Sequence, residues 1–105
     1  MDCLFCRIAA GEIPSRKVYE DDQMLAFHDI APVAPTHILL IPKAHIGGAD
    51  ELTAENADVV AHIFAMIPKI AAEAGISAYR VVTNNGEEAG QTVRHLHFHL
   101  LGGRT

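Results

Sequence analysis

The sequence predicts an α+β fold, a five-stranded and mainly antiparallel sheet carrying one long and one short helix. Three observations predict it. Five segments read as strands, and most are joined by short connections. Only one strand pair is bridged by a segment long enough for a helix. Half of the 105 residues are hydrophobic and 20% are charged, which is enough apolar material for a core and argues against disorder.

Residues 3–10 read as the short helix, ended by Gly11 and followed by Pro14. Residues 16–20 (RKVYE) and 24–28 (MLAFH) read as strands, with Asp21, Asp22 and Gln23 as the polar turn of a hairpin. The segment 30–35 holds two prolines and is a loop. Residues 37–42 (HILLIP) form a nearly continuous apolar run, which suits a strand covered on both faces. Thr53 stands where a helix N-cap belongs, with Glu55 in the first turn. Val60, Ile63, Phe64, Ile67, Ile70, Ala71 and Ala74 then recur at helical spacing, and Gly75 is the stop. Pro68 removes a hydrogen bond to residue 64, so one kinked helix is expected rather than two. Residues 79–84 (YRVVTN) and 95–101 (HLHFHLL) supply the last strands, and the loop 85–92 between them contains Gly86 and Gly90. There is no internal repeat, low-complexity tract or linker, so residues 1–105 read as a single domain.

The net charge is −5 with histidine neutral, which argues against wrapping a nucleic-acid backbone. No apolar stretch approaches the roughly 18 residues that span a bilayer. The first residues lack a positive start followed by an apolar run. The expectation is a cytoplasmic protein with no signal peptide and no membrane or nucleic-acid partner.

Seven residues are histidine, three of them within five positions. On a strand, His95, His97 and His99 share one face roughly 6.5–7 Å apart, and Leu96, Phe98 and Leu100 face the core. Three readings fit this row: a solvated sheet face, a three-histidine metal site, and a site for a small anion. The preceding loop offers polar groups and a backbone that Gly86 and Gly90 allow to turn tightly, which suits an anion cradle. Neutral imidazole, with a pKa of about 6.5, is a good nucleophile near pH 7. Cys3-x-x-Cys6 has the spacing of half a zinc site. The alternative is two thiols on a short helix. A thioredoxin-like pair does not fit, because no βαβ strand precedes it. No acidic cluster obviously holds magnesium. His37 reads as part of the sheet, His62 as a solvated or boundary residue beside the helix stripe, and Arg94 as facing away from the histidine row with no role assigned.

The run HLHFHLL at 95–101 resembles the signature of the histidine triad (HIT) superfamily. The segments CLFCRI (3–8), GEIP (11–14), VYEDD (18–22), AFHDI (26–30), PTH (35–37), IPK (41–43) and GQTV (90–93), together with His45, resemble its Hint branch. The resemblance spans essentially the whole chain. It implies a HIT-like homodimer whose two sheets join into one, with a purine nucleoside monophosphate at each site. It implies hydrolysis of nucleoside phosphoramidates and acyl-adenylates at the α-phosphate through a nucleotidyl-histidine. His97 is then the nucleophile, with His99 its catalytic neighbour. The implied nucleotide contacts are Phe5, Ile13, Phe27, His28, Asp29, Ile30, Asn84, Gly90, Gln91, Thr92, His97 and His99. Asp29 would meet the ribose; Asn84, Gln91, Thr92 and His99 would meet the phosphate. The resemblance also implies a structural zinc held by Cys3, Cys6, His45 and His95, with no magnesium required. Two rival functions remain, a dinucleoside polyphosphate hydrolase of the Fhit branch and a nucleotide-binding module with little turnover. The cysteine pair and the GGR ending favour the Hint branch, and the intact histidine row favours catalysis. Branch members continue past GGR with a Trp-Pro-Pro-Gly tail. This chain has no Trp, a departure that leaves leaving-group specificity open.

Overall fold

In the computed structural model, which describes residues 3–104, five strands form one sheet: β1 (Lys17–Glu20), β2 (Met24–His28), β3 (Thr36–Pro42), β4 (Tyr79–Val82) and β5 (Phe98–Gly102). The outer limits of the domain read over 1–105 lie outside the described residues. The strand order is β1-β2-β3-β5-β4, and every neighbouring pair is antiparallel. Helices α1 (Leu4–Ala9) and α2 (Asp58–Glu73) complete the expected set, with short 3-10 turns at Ala49–Glu51 and Glu87–Ala89. No helix among the described residues is long and apolar enough to cross a membrane.

The sheet separates two cores. On one face Met24, Ala26, Ile38, Leu40, Phe98 and Leu100 pack under Ile63, Ile67 and Ile70 of α2. These three isoleucines follow the four- and three-residue steps that keep one helix face together. On the other face Leu25, Phe27, Leu39 and Ile41 pack under Cys3, Phe5 and Ile8 of the α1 segment. β3 supplies alternate residues to both cores and is buried from His37 to Pro42, as its continuous apolar run predicts.

Polar groups fix the ends of these elements. The Cys3 Sγ accepts the Cys6 N–H at 3.4 Å and so caps α1. Gly11, at φ 81°, supplies the left-handed residue just past that helix. In the β1–β2 turn the Asp21 Oδ1 accepts the N–H groups of Gln23 and Met24 at 2.8 and 2.9 Å. Its Oδ2 lies 2.6 Å from the His62 Nε2 of α2 and accepts the Tyr19 hydroxyl at 2.8 Å. His62 is therefore a tether between helix and hairpin, more than the boundary residue expected.

Two expectations are corrected. Thr53 does not cap α2, which begins at Asp58 after Ala57 with no side-chain cap bond. The Asn56 Oδ1 folds back to accept the Thr53 N–H at 2.7 Å, so a separate turn occupies the expected first turn of helix. The last strand starts at Phe98, not at residue 95. The His95 N–H turns back to the Val93 carbonyl at 2.9 Å, and the Leu96 N–H bonds the Ile46 carbonyl at 2.6 Å. The backbone of 95–97 is thus held by a loop instead of a ladder. The remaining limits move by one or two residues: β1 starts at Lys17, β3 at Thr36, and β4 ends at Val82. α2 runs through Pro68 as one helix. Pro68 and Phe64 are both exposed, so water can satisfy the carbonyl that proline deprives of a donor.

Candidate active site

The three histidines of the row keep to one face of the sheet, but they divide between two clusters. His95 is fully buried and turns toward the start of the chain. Its Nδ1 lies 3.4 Å from the Cys3 Sγ and 3.5 Å from the Cys6 Sγ, while the His45 Nδ1 lies 3.2 Å from the Cys6 Sγ. The four ligand atoms of Cys3, Cys6, His45 and His95 all fall within 4.8 Å of one another. A tetrahedral ion with bonds of about 2.3 Å to sulfur and about 2.0–2.1 Å to nitrogen separates neighbouring S and N ligands by roughly 3.5 Å. The observed spacings match that. The His95 Nε2 donates to the Pro42 carbonyl at 2.8 Å, which leaves the Nδ1 lone pair facing the thiols. Burial pushes the His95 imidazolium below the ordinary histidine range, against the opposing pull of that carbonyl, so the ring is held in its neutral, ligating form. Burial and the neighbouring Cys3 push the Cys6 thiol up to about 11. A bound cation would have to displace that proton. The donor set fits a metal ion.

His97 and His99 form the second cluster. Their rings lie 5.1 Å apart between centroids, and the Phe5 ring meets the His97 ring edge-to-face at 5.0 Å. The His97 Nδ1 lies 2.7 Å from the His95 carbonyl oxygen. A carbonyl only accepts, so Nδ1 carries a proton, and in the neutral tautomer the lone pair is on Nε2. The same logic fixes the next two rings. The Val33 N–H donates to the His37 Nδ1 at 3.1 Å, so the His37 proton sits on Nε2. That Nε2 is 2.9 Å from the His99 Nδ1 and 3.4 Å from the Asp29 Oδ2. His99 then accepts at Nδ1 and carries its own proton on Nε2. Burial, reinforced by His97 and His37, pushes His99 below the ordinary histidine range against a smaller pull from Asp29.

His37 is the member of this cluster that the sequence reading did not place at the site. The available signal was a histidine opening an otherwise apolar strand, where a buried imidazole needs a polar partner on its own face.

The other site residues fall in two places. Phe27, His28, Asp29 and Ile30 line a cleft of about 340 Å³ with Pro14 and Arg16. Asp29 connects that cleft through His37 to His99. Phe5 stands between Phe27 and His97, and Ile13 packs beside them at the edge of the same core. Asn84, Gly90, Gln91 and Thr92 lie in the loop before the histidines. Val82 and His99 are the last paired residues of β4 and β5 on this side, and Asn84 lies past that pairing. The Thr83 hydroxyl donates to the His97 carbonyl at 2.7 Å. Gly86 and Gly90 both take positive φ, 91° and 97°, which an L side chain resists. Thr92 is exposed. Gln91 is buried with its amide bonded to Gly86, Gly47 and Val93, so any phosphate contact from that amide must replace one of these bonds.

The HIT domain model matches residues 10–105. A HIT-like protein of Synechococcus elongatus is 50% identical over 105 residues, covering 99% of this chain and 92% of that protein. Protein HitA of Neisseria gonorrhoeae is 41% identical, covering 96% and 95%. Among solved structures, a histidine triad protein from Clostridium difficile superposes with a TM-score of 0.96 at 51% identity, covering 100% of this chain and 93% of the other. A HIT family hydrolase from Clostridium thermocellum gives 0.95 at 47% identity, covering 98% and 91%. With the His95, His97 and His99 row in place and the domain matched along nearly its full length, the chain belongs to the HIT family.

Proposed function

We propose that the protein is a nucleotide hydrolase that opens purine nucleoside phosphoramidates or acyl-adenylates at the α-phosphate through a nucleotidyl-His97 intermediate. The observation that carries this reading is the 2.7 Å bond from the His97 Nδ1–H to the His95 carbonyl. In the neutral ring this bond places the proton on Nδ1 and leaves the Nε2 lone pair available for attack. The hydrolase character of a similar structure supports the reading.

In the first step the Nε2 lone pair bonds to phosphorus as the bond to the leaving group breaks. The leaving atom keeps the bonding pair and takes a proton. In the second step water attacks phosphorus, loses a proton, and the pair of the phosphorus–His97 bond returns to Nε2. The proton that the leaving atom takes in the first step equals the one that water releases in the second. The neutral His99 beside His97 can relay each between solvent and the reacting atoms, taking up one proton as it gives up another. Donors of the 84–92 loop would meet the crowded phosphate oxygens. The cleft beside Asp29 has apolar walls for a flat base and a carboxylate that can accept from ribose hydroxyls.

The Cys3, Cys6, His45 and His95 set is the site we assign to a structural zinc. Bound there, zinc supplies a crosslink between the α1 segment and the loops flanking His97, and no part in the reaction. We further propose a homodimer through β4, which is a sheet edge carrying the half-exposed Tyr79 and so offers a row of backbone groups to a second copy.

The test is release of a fluorescent amine from an adenosine 5′-phosphoramidate by wild type and His97→Ala. Release by wild type alone supports the reading. Equal release from both, or tight AMP binding with none from either, overturns it. Metal content and light scattering of the same preparation test zinc and the dimer.

A further inference from the structure

The segment carrying His97 lies outside the sheet ladder, so something other than strand pairing must hold it. Arg94, three residues before the nucleophile, makes contacts that no part of the reaction uses. Its guanidinium bonds the Asp50 carboxylate at 2.8 Å and reaches the Glu51 carboxylate at 3.4 Å. The other end donates to the Gln91 Oε1 at 3.0 Å and to the Asn85 Oδ1 at 3.5 Å.

Gln91 is the bolt that this guanidinium secures. Its Oε1 also accepts the Gly86 N–H at 2.8 Å, while its Nε2 donates to the Gly47 and Val93 carbonyls at 2.7 and 3.0 Å. Two donors on the oxygen and two acceptors on the nitrogen admit a single amide orientation. That one buried side chain joins three separate segments. The Glu51 carboxylate closes the ring by accepting the Gly47 N–H at 2.7 Å.

The backbone at 47–48 is shaped for the same contact. A Cβ on Gly47 would lie 2.8 Å from the Glu51 carboxylate and 2.9 Å from the Arg94 Nε, and one on Gly48 would collide with the Asn85 and Arg94 side chains. Bare backbone at both positions lets the side chains lie directly on the turn. The loop leading into that turn, through the Ile46 carbonyl, holds the Leu96 N–H beside the nucleophile.

We infer that Arg94 is a positioning residue: through Gln91 it locks the phosphate-side loop and the His97 segment onto the 47–51 turn. The inference rests on the hydrolase reading for its kinetic consequence and on geometry alone for the lock. Exposed ion pairs add little stability, and the Arg94 pairs with Asp50 and Glu51 are about half exposed. The main effect is therefore on placement. A small misplacement of a reacting group costs far more rate than stability.

The experiment compares wild type, Arg94→Met and Arg94→Lys. Measured are amide hydrogen exchange at Gly86 and Leu96, the melting temperature, and kcat and KM on the fluorescent adenosine phosphoramidate. For Arg94→Met we expect exchange at both amides to rise by roughly tenfold or more and kcat to fall by about 10- to 100-fold. KM should change less than kcat, because no clamp residue lines the base-side cleft beside Asp29. Arg94→Lys should recover only part of kcat, since an ammonium lacks the fork that reaches Asp50 and Gln91 together. Unchanged exchange and kcat overturn the inference. So does faster exchange across the whole sheet with a matching loss of melting temperature, which marks a merely structural residue. If wild type releases no amine, the hydrolase reading fails, and exchange at Gly86 and Leu96 still decides the lock.

Discussion

The two faces of the sheet do different work. Under α2 the packing is almost wholly aliphatic. Under α1, a helix of only six residues, lie the Cys/His cluster, the Phe5–His97 contact and the His99–His37–Asp29 chain. A sheet needs one well-packed face for stability, and that frees the other for groups whose burial costs stability. The comparison predicts that damage to the α1 face removes activity before stability and that damage to the α2 face does the reverse.

The sharpest break is His97→Ala. Loss of the proposed nucleophile should lower turnover of the adenosine phosphoramidate by about 10⁴-fold or more, with the melting temperature little changed. A mutant unfolded at the wild-type melting temperature would instead give the α1 face a share in holding the fold.

Ile67→Ala probes the opposite face. Ile67 is buried in the α2 core, and its truncation should cost about 2–5 kcal/mol in denaturant unfolding. Under conditions where the variant stays folded, kcat should stay within about twofold of wild type. A larger fall in kcat would show that the faces are coupled through the strands they share.

His37→Ala cuts the chain behind His99 and leaves all three triad histidines in place. His99 then loses the donor that fixes its protonation pattern. A fall in kcat of roughly 10- to 100-fold is expected, the usual scale for a group that orients another. Recovery in His37→Asn, which can still offer a donor, would separate orientation from proton transfer by the ring itself.

The same division decides what the sequence disclosed. The isoleucines of α2, the β1–β2 turn and the doubly covered β3 were legible because their signals are local, set by helical spacing, Asx chemistry and an apolar run. The late start of α2 was not, because the Asn56 Oδ1 takes the Thr53 N–H and the Thr53 Oγ1 takes the Glu55 N–H, which closes a separate turn ahead of the helix. The division of the triad was beyond any local pattern. Alternation puts His95, His97 and His99 on one face, and that was read. Where His95 turns depends on Cys3, 92 positions away. The partner of His99 is His37, 62 positions away. Periodicity reports which way a side chain points and says nothing of what waits there.

The smallest effect expected is on the tether between α2 and the β1–β2 hairpin. Burial alone would raise the Asp21 carboxyl, but bonds from His62, the Gln23 and Met24 amides and the Tyr19 hydroxyl outweigh it and hold Asp21 well below the usual carboxylate range. A depressed carboxylate stabilises the fold at pH values above its unfolded pKa of about 3.9. Below that value the unfolded chain takes up the proton first, so this stability drains away as the pH falls toward the folded value. Asp21→Asn keeps an oxygen for the turn but places an NH₂ group opposite His62 and Tyr19. It should cost about 1–2 kcal/mol at pH 7, read as a lower melting temperature, with kcat unchanged. Between pH 5 and pH 3 the gap between variant and wild type should narrow, because wild type is losing what the variant never had. A gap that stays constant over that range would mean the carboxylate acts by shape alone, and the α2 face would then owe its stability to apolar packing without help from charge.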